Sequence, residues 1–147
     1  VLAEHPDQRR ELAADPSLIP NAIEELLRFE PPAPHVARYV ARDVEHYGQS
    51  VPGGSVMKFL IGAANRDDRR HPNGDRFDIH RTIGPHLTFG YGIHFCLGAP
   101  LARLEGRVPL DEVLNRFPEW EVDWDHAEQA RTSTVRGWAT LPVTTAG

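Results

Sequence analysis

A second cysteine is missing from this sequence, so no internal disulfide can form, and the lone thiol of Cys96 fits a reducing compartment such as the cytoplasm. A basic excess is missing too. Sixteen Lys and Arg stand against 21 Asp and Glu, a net charge of −5, so no nucleic-acid partner is expected. No apolar run approaches the ~20 residues of a membrane span and no signal-peptide pattern is visible, so no membrane partner is expected either. Internal repeats and low-complexity tracts are absent. Proline is plentiful, with 13 residues, which suits long irregular connections between few helices. At 147 residues the chain is expected to form one domain with a core of ordinary size.

The apolar spacing predicts few regular elements. A polar helix spans His5 to Ala14 and is broken by Asp15-Pro16-Ser17. It opens without an initiator methionine or a capping residue, as expected of a sequence cut inside a helix or of one begun at a valine-coded alternative start. A second helix covers Asn21 to Phe29, with Pro20 in its first turn and Ile23, Leu26, Leu27 and Phe29 on one face. Pro31, Pro32 and Pro34 end it. Strands follow over Val36–Val40 and Val44–Tyr47, with turns at Gly48-Gln49 and Pro52-Gly53-Gly54. Val56 to Leu60 reads as a strand or a helix start. From Asn65 to Pro85 the chain is a charged meander anchored by Phe77 and Ile79, long enough to suggest function. A long helix is expected over Leu97–Phe117, apolar at Leu101, Leu104, Val108, Val113, Leu114 and Phe117 and kinked at Pro109. Short strands fill Trp120 to Val143.

Cys96 stands between a glycine turn and that long helix. Glycines supply the positive φ angles and close backbone approach of a tight turn. The free N–H groups at a helix start favour thiolate over thiol, and a thiolate is a ligand for soft or borderline metals, haem iron above all. The plain alternative is a buried structural cysteine after a turn. A zinc site from His80, His86, His94 and Cys96 is set aside, because the spacings match no paired-ligand pattern.

Phe89, Gly90, Gly92, His94, Cys96 and Gly98 fill every fixed position of F-G-x-G-x-H-x-C-x-G. This stretch resembles the haem-binding loop of the cytochrome P450 monooxygenases of the bacterial type. The resemblance implies an α+β, mainly α fold, the C-terminal part of the cytochrome P450 domain, over residues 1–147. It implies haem b as cofactor, with Cys96 as the iron ligand and the catalytic thiolate, and Phe89, Gly90, His94 and Gly98 forming the loop around it. His94 and Arg38 would bind the haem propionates. Glu25 and Arg28 fit the family's E-x-x-R motif; read alone, they are an exposed helical pair worth a few tenths of a kcal/mol. By resemblance they join Arg76 in a buried triad that locks the meander against the helix.

The same resemblance places Pro34, His35, Val36, Thr134 and Val135 beside an apolar small-molecule substrate. Arg81, Arg103 and Arg107 become candidates for docking an acidic ferredoxin or flavodoxin-type electron donor. His71 and Gly74 stand where Phe and Pro are usual in the meander, a change expected to loosen it. The helix that handles dioxygen and protons in the family is expected upstream of this stretch. The chain alone is therefore expected to be inactive as a monooxygenase. The rival readings are a haem-binding module or pseudoenzyme without oxygenase activity, and a remnant that does not fold.

Overall fold

The computed structural model describes residues 1–145. Helix α1 (Pro6–Ala14) is followed by a 3-10 turn, Pro16–Leu18, whose first amide partner is the Asp15 side chain. Helix α2 (Ile19–Phe29) starts two residues before the expected point, because Pro20 is tolerated in its first turn. Strand β1 (Val36–Tyr39) pairs antiparallel with β4 (Val56–Phe59), and β2 (Val44–His46) with β3 (Gln49–Val51). Tyr47 leaves its expected strand: with φ +50° beside Gly48 at +74°, it makes the two-residue turn of that hairpin. The segment from Val56 resolves as a strand, and a short helix α3 (Ile61–Ala64) follows it. The expected meander then runs without strand or long helix to a 3-10 turn at Gly92–His94.

Helix α4 (Ala99–Arg116) begins two residues later than predicted, with Gly98 as its N-cap, and continues through Pro109 as one helix. Strands β5 (Trp120–Val122) and β8 (Val143–Thr145) pair, as do β6 (Glu128–Gln129) and β7 (Trp138–Thr140). Each sheet has two strands, and neither hairpins nor ribbons of this size are stable alone.

The core lies where α1, α2 and α4 meet the meander. Leu2, Leu12, Ile19, Ala22, Ile23, Phe77, Ile79 and Leu114 are buried together, bordered by Leu26, Leu27, Leu110 and Trp120. Burying a Leu, Ile or Phe side chain contributes about 1.5–3 kcal/mol, so Phe77 and Ile79 hold the meander as firmly as a regular element would. The expected apolar face of α4 is only partly used. Leu101, Leu104 and Val108 stay about half exposed, and Ile93 and Leu97 almost wholly so. No described residue covers them, and contiguous exposed apolar surface marks a contact face.

Candidate functional site

The cysteine loop is built from backbone hydrogen bonds around two left-handed glycines. Gly90 has φ +76° and Gly92 has φ +67°, conformations that a side chain would strain. At Gly90 a Cβ would also stand 3.2 Å from the His94 carbonyl oxygen. The Gly90 amide donates to Leu87 O at 2.9 Å, Phe95 N to Gly92 O at 3.0 Å and Cys96 N to Phe89 O at 2.8 Å. These bonds fix the Cys96 main chain at the entrance to α4. Its side chain is a free, exposed thiol rather than a buried packing group. Ile93, Phe95 and Leu97 beside it are exposed as well.

Asn65 holds the stem of the loop. Wholly buried, it donates from Nδ2 to Thr88 Oγ1 at 2.9 Å and accepts the Leu87 amide on Oδ1 at 2.7 Å. Thr88 Oγ1 in turn donates to Leu27 O on α2 at 2.6 Å. The sequence singled out neither residue. The only signal for Asn65 is a polar residue closing the apolar run Ile61–Ala64.

Glu25 and Arg28 are not a solvated pair: both are fully buried. Arg28 donates from Nε and Nη2 to the two Glu25 oxygens at 2.7 and 2.8 Å. Its Nη1 reaches the carbonyls of Asn65 and Gly74, each at 2.8 Å, and Nη2 also reaches that of Arg76 at 3.3 Å. Glu25 Oε1 further accepts the Asp78 amide at 3.0 Å and Arg81 Nε at 3.1 Å. A buried carboxylate is tolerated because charged donors meet it on several sides.

The third guanidinium is Arg81, and this corrects the expectation for Arg76. The Arg76 side chain is 73% exposed and approaches only Asp78, at 4.0 Å. Its contribution to the network is its main-chain carbonyl. The reason is a turn: the Asp78 amide donates to Glu25 and the Arg81 amide to Asp78 O at 3.0 Å, so the chain reverses over Ile79 and His80 and returns Arg81 to the Glu25 carboxylate, while the Arg76 side chain is left in solvent.

The same placement removes Arg81 from any docking surface. Only 12% of its side chain is exposed, and its Nη atoms are held by the carbonyls of Pro72, Asn73 and Arg76. Arg103 is also engaged: Nε donates to Glu24 Oε1 at 2.5 Å and Nη2 to Oε2 at 3.0 Å. That contact holds the Glu24 carboxyl below its ordinary range, chiefly through Arg103. Arg107 alone of the three is exposed, at the edge of a groove with Pro20, Ile23, Pro100 and Leu104.

Arg38 lies exposed on β1 and bonds only to the Ala37 carbonyl, at 2.8 Å; no acidic partner meets it among the described residues. His94 closes the 3-10 turn and is exposed. Pro34, His35, Thr134 and Val135 line one open cleft of about 230 Å³, together with Gln129 and Arg136. Val36 lies outside it, on β1. His71 and Gly74, the two departures in the meander, are both buried, and the Gly74 amide donates to Asp68 at 2.8 Å. Among the described residues no group of three His, Cys, Asp or Glu side chains is placed to hold a metal ion. His80 instead meets Glu11 at 2.6 Å and His86 meets Glu24 at 3.2 Å. No helix there is long and apolar enough to cross a membrane.

The residues present fit the haem that the sequence resemblance implies. They offer one unengaged soft donor, an uncovered apolar surface around it, and an arginine without a carboxylate partner.

A family model described as Cytochrome P450 matches residues 10–144. The chain is 43% identical over 145 residues to the 6-deoxyerythronolide B hydroxylase of Saccharopolyspora erythraea. It is 45% identical over 147 residues to the Vitamin D(3) 25-hydroxylase of Pseudonocardia autotrophica. These alignments take in 97% and 98% of this chain but only 36% of each relative's length. Among solved structures, the cytochrome P450 PksS of Bacillus subtilis 168 superposes with a TM-score of 0.94 at 38% identity. P450BioI, in complex with an acyl carrier protein carrying hexadec-9Z-enoic acid, does so at 0.91 and 39%. Both comparisons cover 99% of this chain and 38% of the other.

Proposed function

This chain belongs to the cytochrome P450 family, and on that premise we propose that it is the haem-thiolate part of a bacterial-type monooxygenase. The observation that carries the reading is the exposed Cys96 thiol on a loop whose backbone is fixed from both ends. Cys96 would hold the iron of haem b, with Arg38 and His94 binding the propionates. Haem ligated by thiolate supplies the means of activating dioxygen for O–O cleavage. The net reaction takes one C–H bond of an apolar substrate, dioxygen, two electrons and two protons, and gives the alcohol and water. The electron pair would come from NAD(P)H through a ferredoxin or flavodoxin-type protein.

The chain's own residues provide support rather than chemistry at the substrate. Glu25, Arg28 and Arg81 tie the meander to α2, Asn65 and Thr88 tie the loop stem to the same helix, and Phe89 orients the Cys96 amide. Pro34, His35, Thr134 and Val135 would form one edge of the substrate cleft, with Val36 nearby on β1. The relatives' names, a hydroxylase of 6-deoxyerythronolide B and one of vitamin D(3), support an organic substrate of apolar character. Arg107 is the remaining candidate for electron-donor docking. Arg107→Glu is expected to weaken donor binding at low salt, and no loss there would remove this role.

A second reading, haem capture without oxygenation by this stretch alone, is favoured by the uncovered apolar residues Ile93 and Leu97. The described residues offer one wall of a haem site, and dioxygen chemistry also needs a dry, proton-supplied pocket on the other side. The expressed chain, supplied with haem, reduced and exposed to carbon monoxide, tests the assignment. A strongly red-shifted Soret band that disappears in Cys96→Ala is expected. A band that persists in Cys96→Ala would refute Cys96 as the ligand.

A further inference from the structure

Glu24 precedes the buried Glu25 on α2 and is the meeting point of three elements. Arg103 of α4 grips both of its oxygens, and His86 of the loop stem reaches Oε2 at 3.2 Å. His86 Nδ1 accepts the Thr88 amide at 3.3 Å, so the ring proton sits on Nε2 and a neutral imidazole donates to Glu24. The Arg103 guanidinium lies over the Phe89 ring, 4.7 Å from its centre, and the His86 ring is 6.1 Å from the same ring. Phe89 is the residue whose carbonyl takes the Cys96 amide.

We infer that Glu24 and Arg103 form a clamp, completed by His86, that positions the Cys96 thiolate through Phe89. A carboxylate gripped at two points fixes the plane of the guanidinium as well as its place. The guanidinium carbon lies over the Phe89 ring, which restricts the ring and, through its short side chain, the main chain that carries the Phe89 carbonyl. The carbonyl holds the Cys96 amide at 2.8 Å, and so the direction in which the sulfur leaves the loop. With a neutral His86 the cluster carries one negative and one positive charge, so it adds no net charge beside a thiolate. These are positioning residues, and none is assigned contact with the reacting atoms.

The inference rests on Cys96 being the haem ligand, and the test separates the two. In the complete haem-loaded protein, reduced and bound to carbon monoxide, the ratio of red-shifted to unshifted Soret absorbance reads the fraction ligated by thiolate. Glu24→Gln and Arg103→Gln should each lower it about tenfold, the order expected of one charge-assisted bidentate pair. The double variant should be no worse than either alone. In a Phe89→Leu background Arg103→Gln should change nothing further, which a pair acting only on stability would not obey. Arg103→Lys, which keeps the charge and loses the fork, should fall between, and it replaces Arg103→Gln in every comparison if the latter takes up no haem. An unchanged ratio in both single variants, or an equal further fall in the Phe89→Leu background, overturns the clamp. If the red-shifted band survives Cys96→Ala, the ligand assignment fails instead.

Discussion

Arg81→Ala and Arg76→Ala should differ sharply although the two arginines are five residues apart. Arg81→Ala removes the Nε bond to a fully buried Glu25 and three bonds to the carbonyls of Pro72, Asn73 and Arg76. Breaking a buried ion pair costs about 3–5 kcal/mol. The lower end, ~3 kcal/mol, applies here because the remaining partners, Arg28 and the Asp78 amide, still satisfy Glu25. Arg76→Ala deletes a side chain that is 73% exposed and 4.0 Å from its partner, a contact worth roughly 0–0.5 kcal/mol. The carbonyl that Arg76 lends to the network survives the substitution. At an m-value of about 1–3 kcal/mol per molar urea, Arg81→Ala should lower the midpoint by roughly 1–3 M and Arg76→Ala by almost nothing. Circular dichroism and the red-shifted carbon monoxide band, followed through urea titration of the complete protein, give both midpoints. Arg81→Lys should lie between, since the charge remains and the fork does not. Equal shifts for the two alanine variants would refute the assignment of Arg81 to the buried network.

Burial holds the His86 pKa below its ordinary value of 6.5, so the folded state favours the neutral ring. Its contribution to stability should be complete above pH 6.5 and decline as pH falls from there towards the folded-state pKa; urea midpoints across pH would show this slope, and His86→Asn should flatten it. Glu24, whose pKa is lowered from 4.5 chiefly by Arg103, should add a second loss below that pH, absent in Glu24→Gln. Gly74→Ala should cost about 2–3 kcal/mol, because its Cβ would overlap the Arg66 carbonyl, whereas Gly84→Ala meets nothing within 4 Å and should leave the thermal midpoint unchanged. Gly90→Ala should cost about 1–2 kcal/mol through its positive φ and also reduce the thiolate-ligated fraction in the carbon monoxide spectrum.

What the sequence makes legible here depends on how far apart the cooperating residues lie. The cysteine loop is a contiguous run, and its turns follow from Gly90 and Gly92 alone. Helix α2 declares itself by apolar spacing, but the burial of Glu25 and Arg28 is implied only by the family resemblance, since their spacing alone reads as an exposed pair. Arg81 was harder to read, because a turn over Ile79 and His80 brings it back to Glu25, and a motif read as a string pointed to Arg76 instead. Burial of α4 was less legible: apolar periodicity says that Leu101, Leu104 and Val108 need cover and is silent about what supplies it.

The support behind the loop was the least legible of all, for a physical reason. Asn65 becomes structural only when a chain reversal brings it against Thr88, 23 residues on, and Thr88 against Leu27, 61 residues back. A single Asn or Thr in a polar stretch has no local signature of that role, since the same side chains favour turns and caps everywhere. Yet both are held by short hydrogen bonds, and Asn65 is wholly buried, where losing one partner costs about 1–3 kcal/mol. Asn65→Ala should therefore leave the cysteine motif intact as a string while releasing the Leu87 amide and the Thr88 hydroxyl that anchor it. Accelerated hydrogen exchange at Leu87 and a lowered thiolate-ligated fraction are the expected signs. Unchanged exchange at Leu87 would show that the loop holds its shape from Gly90 and Gly92 alone.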